Sequence, residues 1–272
     1  MRDLEGPLLL VGCGKMGGAM LAGWLERGLD PAETHVIEPN KAALGPIADQ
    51  IRHHHADFST LPAKLSPRVV VLAVKPQMMA SALPGCRRFV GPSTLFLSIA
   101  AGKTIAYFER ELGKGPLVRA MPNTPAAIAR GISVAVANPL VSADQKDQAD
   151  ALLKAVGEVA WVEAEALIDP VTALSGGGPA YVFLLMEYLA EAGAAAGLPP
   201  ELARRLARVT VSGAGELARR SPESVEQLRQ NVTSPNGTTL EALKILMAED
   251  GLKPLLTRAI AAATRRSREL AD

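Results

Sequence analysis

The sequence predicts an α/β protein in which an N-terminal Rossmann-type doubly wound sheet is followed by an all-α C-terminal domain. Three observations predict it. Short apolar runs alternate with helix-like stretches up to about residue 160, a glycine-rich turn follows the first apolar run, and only helical patterns remain after Glu163. Alternating strands and helices indicate a parallel sheet covered on both faces. We place the boundary after residue 164, which gives domains 1–164 and 165–272.

The apolar runs bounded by glycine, proline or charge predict the strands, and the stretches between and after them predict the helices. Strands are expected at residues 8–11, 35–37, 69–74, 95–99, 118–120, 132–137 and 160–162. Helices are expected at residues 16–27, 77–86, 104–112, 143–156, 180–196, 200–219, 224–230, 239–249 and 254–270. The consecutive His53, His54 and His55 form a polar strand or a loop; they are not expected to bind one metal ion, because alternate side chains of a strand point to opposite faces.

Composition excludes several classes of function. The 272 residues carry a net charge of +1, which leaves no strong electrostatic footprint for nucleic acid or an anionic membrane. The longest apolar run, residues 180–186, is far shorter than the roughly 20 residues that span a bilayer. Cys13 and Cys86 match neither a zinc motif nor a disulfide framework. We therefore expect a soluble cytoplasmic protein with no metal site and no nucleic-acid or membrane partner.

The glycine-rich turn predicts a dinucleotide site. Gly12-Cys13-Gly14-Lys15-Met16-Gly17 stands between the first strand and the first helix, which is the context that this fingerprint requires. Gly12 permits the tight turn, Gly14 lets a pyrophosphate approach the backbone, and Gly17 lets the helix pack closely on the strand. Cys13 is expected to be a tolerated small residue and not a nucleophile. We expect Gly12, Gly14, Lys15, Met16 and Gly17 to bind NADPH or NADH.

The choice between the two cofactors stays open at this point. Glu38 ends the second strand, with Asn40 close behind, where an acidic side chain binds the ribose 2′-hydroxyl of NAD. Lys41 could instead reach the 2′-phosphate of NADP, and a third possibility is that Glu38 only faces water.

Further cofactor contacts are expected where other strands end, because ligands of open α/β sheets bind at the carboxyl edge of the strands. Lys75 is expected to face the ribose or the nicotinamide, and we count it as a candidate catalytic residue. The full set expected at this edge is Val74, Lys75, Pro76, Ala100, Ala101, Met121, Pro122 and Asn123.

Two loops in the helical half predict a site for a small anion. Ser175-Gly176-Gly177-Gly178-Pro179 opens one long helix, and Thr233-Ser234-Pro235-Asn236-Gly237-Thr238-Thr239 opens another. Each loop offers backbone N–H groups at a helix N-terminus beside small hydroxyl side chains, which suits a carboxylate. One such loop alone would be ordinary helix capping. The expected substrate-binding residues are Ser175, Gly178, Pro179, Ser234, Gly237, Thr238 and Thr239.

In order and spacing over nearly the whole chain, these motifs resemble the pyrroline-5-carboxylate reductase family. The 233–239 motif is the most specific signature, whereas the glycine turn is shared with many oxidoreductases. Two positions depart from the family pattern. Asn236 stands where a second glycine is usual, and asparagine tolerates the same left-handed backbone; Gly177 stands where serine or cysteine is common.

The resemblance implies an NAD(P)H-dependent oxidoreductase that reduces the C=N bond of L-1-pyrroline-5-carboxylate to give L-proline, the last step of proline biosynthesis. It implies that the C-terminal domain is a dimerisation domain, so the chain would form a homodimer or a ring of dimers. The active site would lie between one subunit's nucleotide domain and helices of its partner. Thr239 would be the hydroxyl nearest the ring nitrogen, acting as a hydrogen-bond donor or relay.

Two alternatives remain. A β-hydroxyacid dehydrogenase combines similar domains but needs a general base, usually a lysine on the interdomain helix, and residues 180–196 contain no lysine. A non-catalytic NAD(P) sensor would lack turnover while binding the dinucleotide tightly.

Overall fold

The computed structural model describes residues 6–270, which contain an eight-stranded sheet and ten α-helices. The strands are β1 Leu8–Val11, β2 Thr34–Ile37, β3 His53–His55, β4 Val69–Leu72, β5 Leu95–Ser98, β6 Leu117–Met121, β7 Gly131–Ala137 and β8 Gly157–Trp161. The helices are α1 Lys15–Glu26, α2 Met79–Cys86, α3 Ile105–Leu112, α4 Ala143–Lys154, α5 Ile168–Val171, α6 Gly178–Ala195, α7 Pro200–Arg220, α8 Val225–Asn231, α9 Thr238–Leu246 and α10 Leu252–Glu269.

These elements form two compact units. The first unit runs to Gly176 and also includes the residues from Ala263 onward, and the second unit is residues 177–262. The sheet belongs to the first unit, whereas the second consists of helices and their connections. The α/β fold with a helical C-terminal part is therefore confirmed, and the boundary after residue 164 stays a prediction.

The strand order of the sheet is β3-β2-β1-β4-β5-β6-β7-β8. Strands β1 to β6 are parallel to one another. Because β2 and β4 lie on opposite sides of β1, the strand order reverses there, and such a switch point opens a crevice at the carboxyl ends of the strands. The glycine turn leaves β1 at this point.

The sheet is parallel, as predicted, except that its last two strands run antiparallel to the others. β7 pairs antiparallel with β6, with Met121 opposite Val134, and β8 is parallel to β7. The connection from β6 to β7 spans only residues 122–130, and a parallel crossover needs roughly a dozen residues or more. The chain therefore turns back as a hairpin.

The central strands of the sheet are buried on both faces, as predicted. Along β1, Leu8 and Leu10 pack into one core with Trp24 of α1, and Leu9 and Val11 pack into a second core on the opposite face. The Trp24 indole N–H donates to the carbonyl of Leu152 at 2.8 Å, which ties α1 to α4. This packing holds α1, which follows the glycine turn, against the sheet.

The second unit leaves many large apolar side chains exposed. The most exposed on α6 and α7 include Phe183 at 57%, Tyr188 at 58% and Val209 at 63%. An extended apolar surface on a helical unit is typical of a protein–protein interface. Within the described part of the chain, no helix has the length and apolarity to cross a membrane.

Candidate functional site

The glycine turn is a close-packed structure at the end of β1. Gly12 has φ +93°, and its N–H donates to the Ile37 carbonyl at 2.8 Å. A Cβ at Gly12 would lie 2.8 Å from the backbone nitrogen of Val74, and a Cβ at Gly17 would lie 2.4 Å from the Gly12 carbonyl oxygen. Both positions therefore require glycine for packing within the protein.

Gly14 differs from the other two glycines, because a Cβ there would meet no protein atom within 4 Å. It is the N-cap of α1 and has no side chain to bond the N–H groups of the first turn. Those N–H groups and the positive end of the helix dipole are suited to a phosphate. The space at Gly14 and the donors behind it fit the pyrophosphate of a dinucleotide.

Two adjoining cavities of the first unit meet at this turn. We call the first the acidic cavity, because Glu38 and Asp57 line it; its volume is about 440 Å³. It contains the predicted cofactor residues Gly12, Gly14, Glu38, Asn40, Val74 and Lys75. The second follows α1 with a volume of about 1090 Å³, and we call it the helix cavity. It contains the predicted residues Gly14, Lys15, Met16, Val74, Lys75, Pro76, Ala100 and Ala101.

Glu38 is held against the glycine turn. Its Oε2 accepts from the Cys13 backbone N–H at 2.9 Å, and its Oε1 accepts from the Asn40 N–H at 3.1 Å. The side chain therefore has a fixed position at the rim of the acidic cavity, which removes the possibility that it only faces water.

Cys13 is fully buried inside the turn. Burial, and next the nearby charge of Glu38, raise the pKa of its thiol to about 11. The thiol is therefore protonated at neutral pH, which agrees with a packing role and not with a nucleophile.

Met121, Pro122 and Asn123 line neither of these two cavities. The Asn123 side chain instead donates from Nδ2 to the Ser175 carbonyl at 3.2 Å and accepts at Oδ1 from the Ile132 N–H at 2.9 Å. A Cβ at Gly176 would lie 2.5 Å from Cε of Met121. The end of β6 therefore holds the turn of π-helix at Thr172–Gly176, which carries Ser175.

The second loop begins a helix, α9, as predicted. The expectation of a loop before α6 is wrong for most of its length, because Thr172–Gly176 form a turn of π-helix that leads through Gly177 into α6. Gly177 is the N-cap of α6 and Gly237 is the N-cap of α9, and neither provides a capping side chain. Asn236 has φ +58°, which confirms that asparagine supplies the left-handed backbone there. Thr238 and Thr239 form the first turn of α9, so their hydroxyls lie beside its uncapped N–H groups.

The sequence reasoning missed the contribution of β3. Asp57 and Phe58 follow this strand and line the acidic cavity, although neither was expected there. β3 consists of His53, His54 and His55, paired in parallel with β2. Had the three histidines been assigned firmly to a strand beside β2, the carboxyl-edge rule would have predicted these contacts.

A test of the Gly14 assignment follows from its open surroundings. We expect Gly14→Ala to keep the thermal unfolding midpoint but to weaken binding of a reduced nicotinamide dinucleotide by at least about tenfold, because the methyl group would occupy the pyrophosphate position. Titration followed by nicotinamide fluorescence measures the affinity. The matched control is Gly91→Ala, where a Cβ also meets nothing within 4 Å. An unchanged dinucleotide affinity in Gly14→Ala would contradict the assignment of the pyrophosphate to this position.

Family models match both parts of the chain. The model described as pyrroline-5-carboxylate reductase dimerisation matches residues 165–270, and the model described as NADP oxidoreductase coenzyme F420-dependent matches residues 8–102.

Relatives that match over nearly the whole chain point to the same family as the C-terminal family model. The chain is 41% identical to a pyrroline-5-carboxylate reductase of Pseudomonas aeruginosa over 97% of both chains, and 33% identical to that of Escherichia coli over 98% of this chain and 99% of the relative. A solved pyrroline-5-carboxylate reductase from Coxiella burnetii superposes with a TM-score of 0.89 at 37% identity, covering 98% of this chain and 99% of that one. The Plasmodium falciparum pyrroline carboxylate reductase with NADP bound gives a TM-score of 0.83 at 28% identity, over 99% of both chains.

Proposed function

Because the chain belongs to the pyrroline-5-carboxylate reductase family, we propose that it catalyses the NAD(P)H-dependent reduction of L-1-pyrroline-5-carboxylate to L-proline, the last step of proline biosynthesis. The observation that carries the proposal is the turn from β1 to α1, where Gly12 and Gly17 are packed shut and Gly14 is left open beside two cavities. This is the arrangement that a pyrophosphate requires.

The residues that would hold the cofactor divide by region. The glycine turn would hold the pyrophosphate, Glu38 and Asn40 the adenosine ribose, and Lys75 with Ala100 and Ala101 the nicotinamide half. Lys75 is exposed at the end of β4, which leaves its ammonium group available to a ligand. The cofactor, when bound, supplies the hydride for the imine carbon.

The residues of the helical half would hold the substrate. We assign Ser234, Gly237 and Thr238 to its carboxylate, because the first turn of α9 offers open N–H groups and hydroxyls together. We assign the Thr239 hydroxyl to the ring nitrogen as a hydrogen-bond donor, since an imine accepts hydride more readily when its nitrogen is protonated or hydrogen-bonded. Ser175, Gly178 and Pro179 complete the proposed set, and Met121, Pro122 and Asn123 are assigned to placing Ser175.

The family's dimerisation domain makes the chain a self-associating protein, and the exposed apolar residues of α6 and α7 supply a surface for this. We extend the proposal to a homodimer, or a ring of such dimers, in the cytoplasm. Light scattering coupled to size-exclusion chromatography gives the number of subunits directly.

The function is tested by the loss of nicotinamide absorbance when the substrate is added to NADH or NADPH. We expect turnover with the wild type and a drop in kcat of about 10²-fold in Thr239→Ala, the size usual for removal of one transition-state donor. Thr239→Ser should recover most of the rate. Thr257→Ala is the matched control, since Thr257 is an exposed threonine of α10. Tight dinucleotide binding without turnover would favour a sensor, and an unimpaired Thr239→Ala would remove that hydroxyl from the mechanism.

A further inference from the structure

The acidic cavity contains a feature that bears on which dinucleotide it accepts. Glu38 stands directly after β2, half-buried, at the position where open α/β sheets recognise the ribose 2′-position. Resting on the proposed use of NAD(P)H, we propose that Glu38 makes this chain prefer NADH over NADPH.

The Glu38 carboxylate is fixed in place by two backbone donors. Oε2 accepts from Cys13 within the glycine turn at 2.9 Å, and Oε1 accepts from Asn40 at 3.1 Å. Each oxygen keeps a second lone pair, which can accept from a ribose hydroxyl. Rotating the side chain aside would break both bonds, and bonds to a charged acceptor are the stronger kind. The fixed carboxylate can therefore accept hydrogen bonds from two ribose hydroxyls, but it cannot rotate away to make room for a 2′-phosphate.

The negative charge of the acidic cavity also favours NADH over NADPH. Its lining residues include the carboxylates of Glu38 and Asp57 and one cation, Lys75. A 2′-phosphate would bring further negative charge next to Glu38, and like charges that close repel strongly at a partly buried site. A free hydroxyl at the same position would gain a hydrogen bond instead.

Lys41, the cation that could have received a 2′-phosphate, does not line the acidic cavity. It is exposed at the start of a 3₁₀ turn whose N-cap is Asn40, and the Asn40 side chain accepts from the Ala42 N–H at 3.1 Å. The chain leaves the end of β2 in a capped turn, so the lysine lies outside the cavity that Glu38 faces.

The preference is tested by binding, without substrate or turnover. Fluorescence titrations give the dissociation constants of NADH and NADPH for the wild type, Glu38→Ser and Lys41→Ala. We expect the wild type to bind NADH at least about tenfold more tightly, and Glu38→Ser to lower the NADPH-to-NADH ratio of dissociation constants by about tenfold or more. Lys41→Ala should leave that ratio unchanged. The ratio is the readout because loss of the Cys13 bond in Glu38→Ser can weaken both cofactors together.

Three results would overturn the proposal. Equal or tighter binding of NADPH by the wild type removes the preference while leaving the reductase function intact. A selective loss of NADPH affinity in Lys41→Ala transfers 2′-recognition to the lysine. Failure of the wild type to bind either dinucleotide overturns the proposed function and the preference together. If Glu38→Ser does not fold, the wild-type ratio and Lys41→Ala can still overturn the proposal.

Discussion

Replacing Glu165 by alanine is expected to lower the free energy of unfolding by about 3–5 kcal/mol, the usual cost of stranding a buried charge. The stranded charge is Arg119 on β6, which is 2% exposed, and its Nη1 lies 2.7 Å from Oε1 of Glu165. Its Nη2 is buried without a partner among the described residues. The same Glu165 oxygen accepts from the N–H of Ile105, the first residue of α3, at 2.8 Å. The variant would therefore lose this helix contact as well.

Removal of the other partner of this ion pair, Arg119, should lower the free energy of unfolding much less. Arg119→Met removes the buried cation and fills similar space, and the Glu165 side chain, 28% exposed, stays accessible to water. We expect a loss of about 1 kcal/mol, and the double variant should be more stable than Glu165→Ala alone.

Denaturant unfolding at one fixed protomer concentration measures these differences, since the protein self-associates. Glu158→Ala, which removes an exposed glutamate of β8, is the control and should change stability by at most about 0.5 kcal/mol. A greater loss in Arg119→Met than in Glu165→Ala would show that the side chain's packing, and not its charge, stabilises β6.

The central strands of the sheet could be predicted from the sequence because they are buried on both faces. A strand of that kind is a continuous apolar run, so Leu8–Val11 and Val69–Leu72 are visible without any alternation. The glycine turn could also be predicted, because backbone contacts at the ends of β1 and β4 require glycine at positions 12 and 17, and this spacing can be read from the sequence.

Features that depend on tertiary pairing could not be predicted. Arg119 lies in an apolar run, and nothing local indicates that its partner is 46 residues further along the chain. The bond from Cys13 to Glu38 joins residues that become neighbours only when β2 lies beside β1. Asn123 was expected to bind the cofactor because it lies in the loop that follows β6, but the hydrogen bonds of its side-chain amide lie within the protein, to Ser175 and Ile132. The assignment of roles to these residues therefore stays a prediction.

Acidification is expected to destabilise the first unit through its histidines. The chain's four histidines lie side by side on β2 and β3, where His35, 6% exposed, stacks on His53 with ring centroids 4.5 Å apart. Nδ1 of His35 is 3.1 Å from Nε2 of His55, and Nδ1 of His55 is 3.1 Å from the Thr60 hydroxyl, which donates to the Asp57 carbonyl. Because the Thr60 hydroxyl donates its proton to Asp57, it accepts a hydrogen bond from Nδ1 of His55. Nε2 of His55 then accepts a hydrogen bond from Nδ1 of His35. Protonation of His55 at Nε2 would break it.

The sign of the pH effect follows from the direction of the pKa shifts. Burial, and next the neighbouring His53, lower the pKa of His35 to about 4, and the same two causes lower the pKa of His55. As the pH falls, the unfolded chain therefore takes up protons at these histidines before the folded chain does. The contribution of the neutral histidines to the free energy of unfolding is complete above the unfolded pKa of about 6.5 and is lost as the pH falls towards 4. For His35 alone this amounts to on the order of 3 kcal/mol.

The measurement is the free energy of unfolding of the wild type, His35→Leu and His54→Gln from about pH 7 down to about pH 4.5, across the range in which free histidine titrates. The wild type should lose stability steeply, and His35→Leu should have a shallower slope because no proton is taken up at that position on unfolding. His54, whose Nε2 lies 2.8 Å from the Glu38 carbonyl, is the control, and His54→Gln should keep the steep slope. Carboxylates contribute equally to all three proteins, so the difference between slopes isolates His35. Equal slopes for the wild type and His35→Leu would assign the acid sensitivity to groups other than His35.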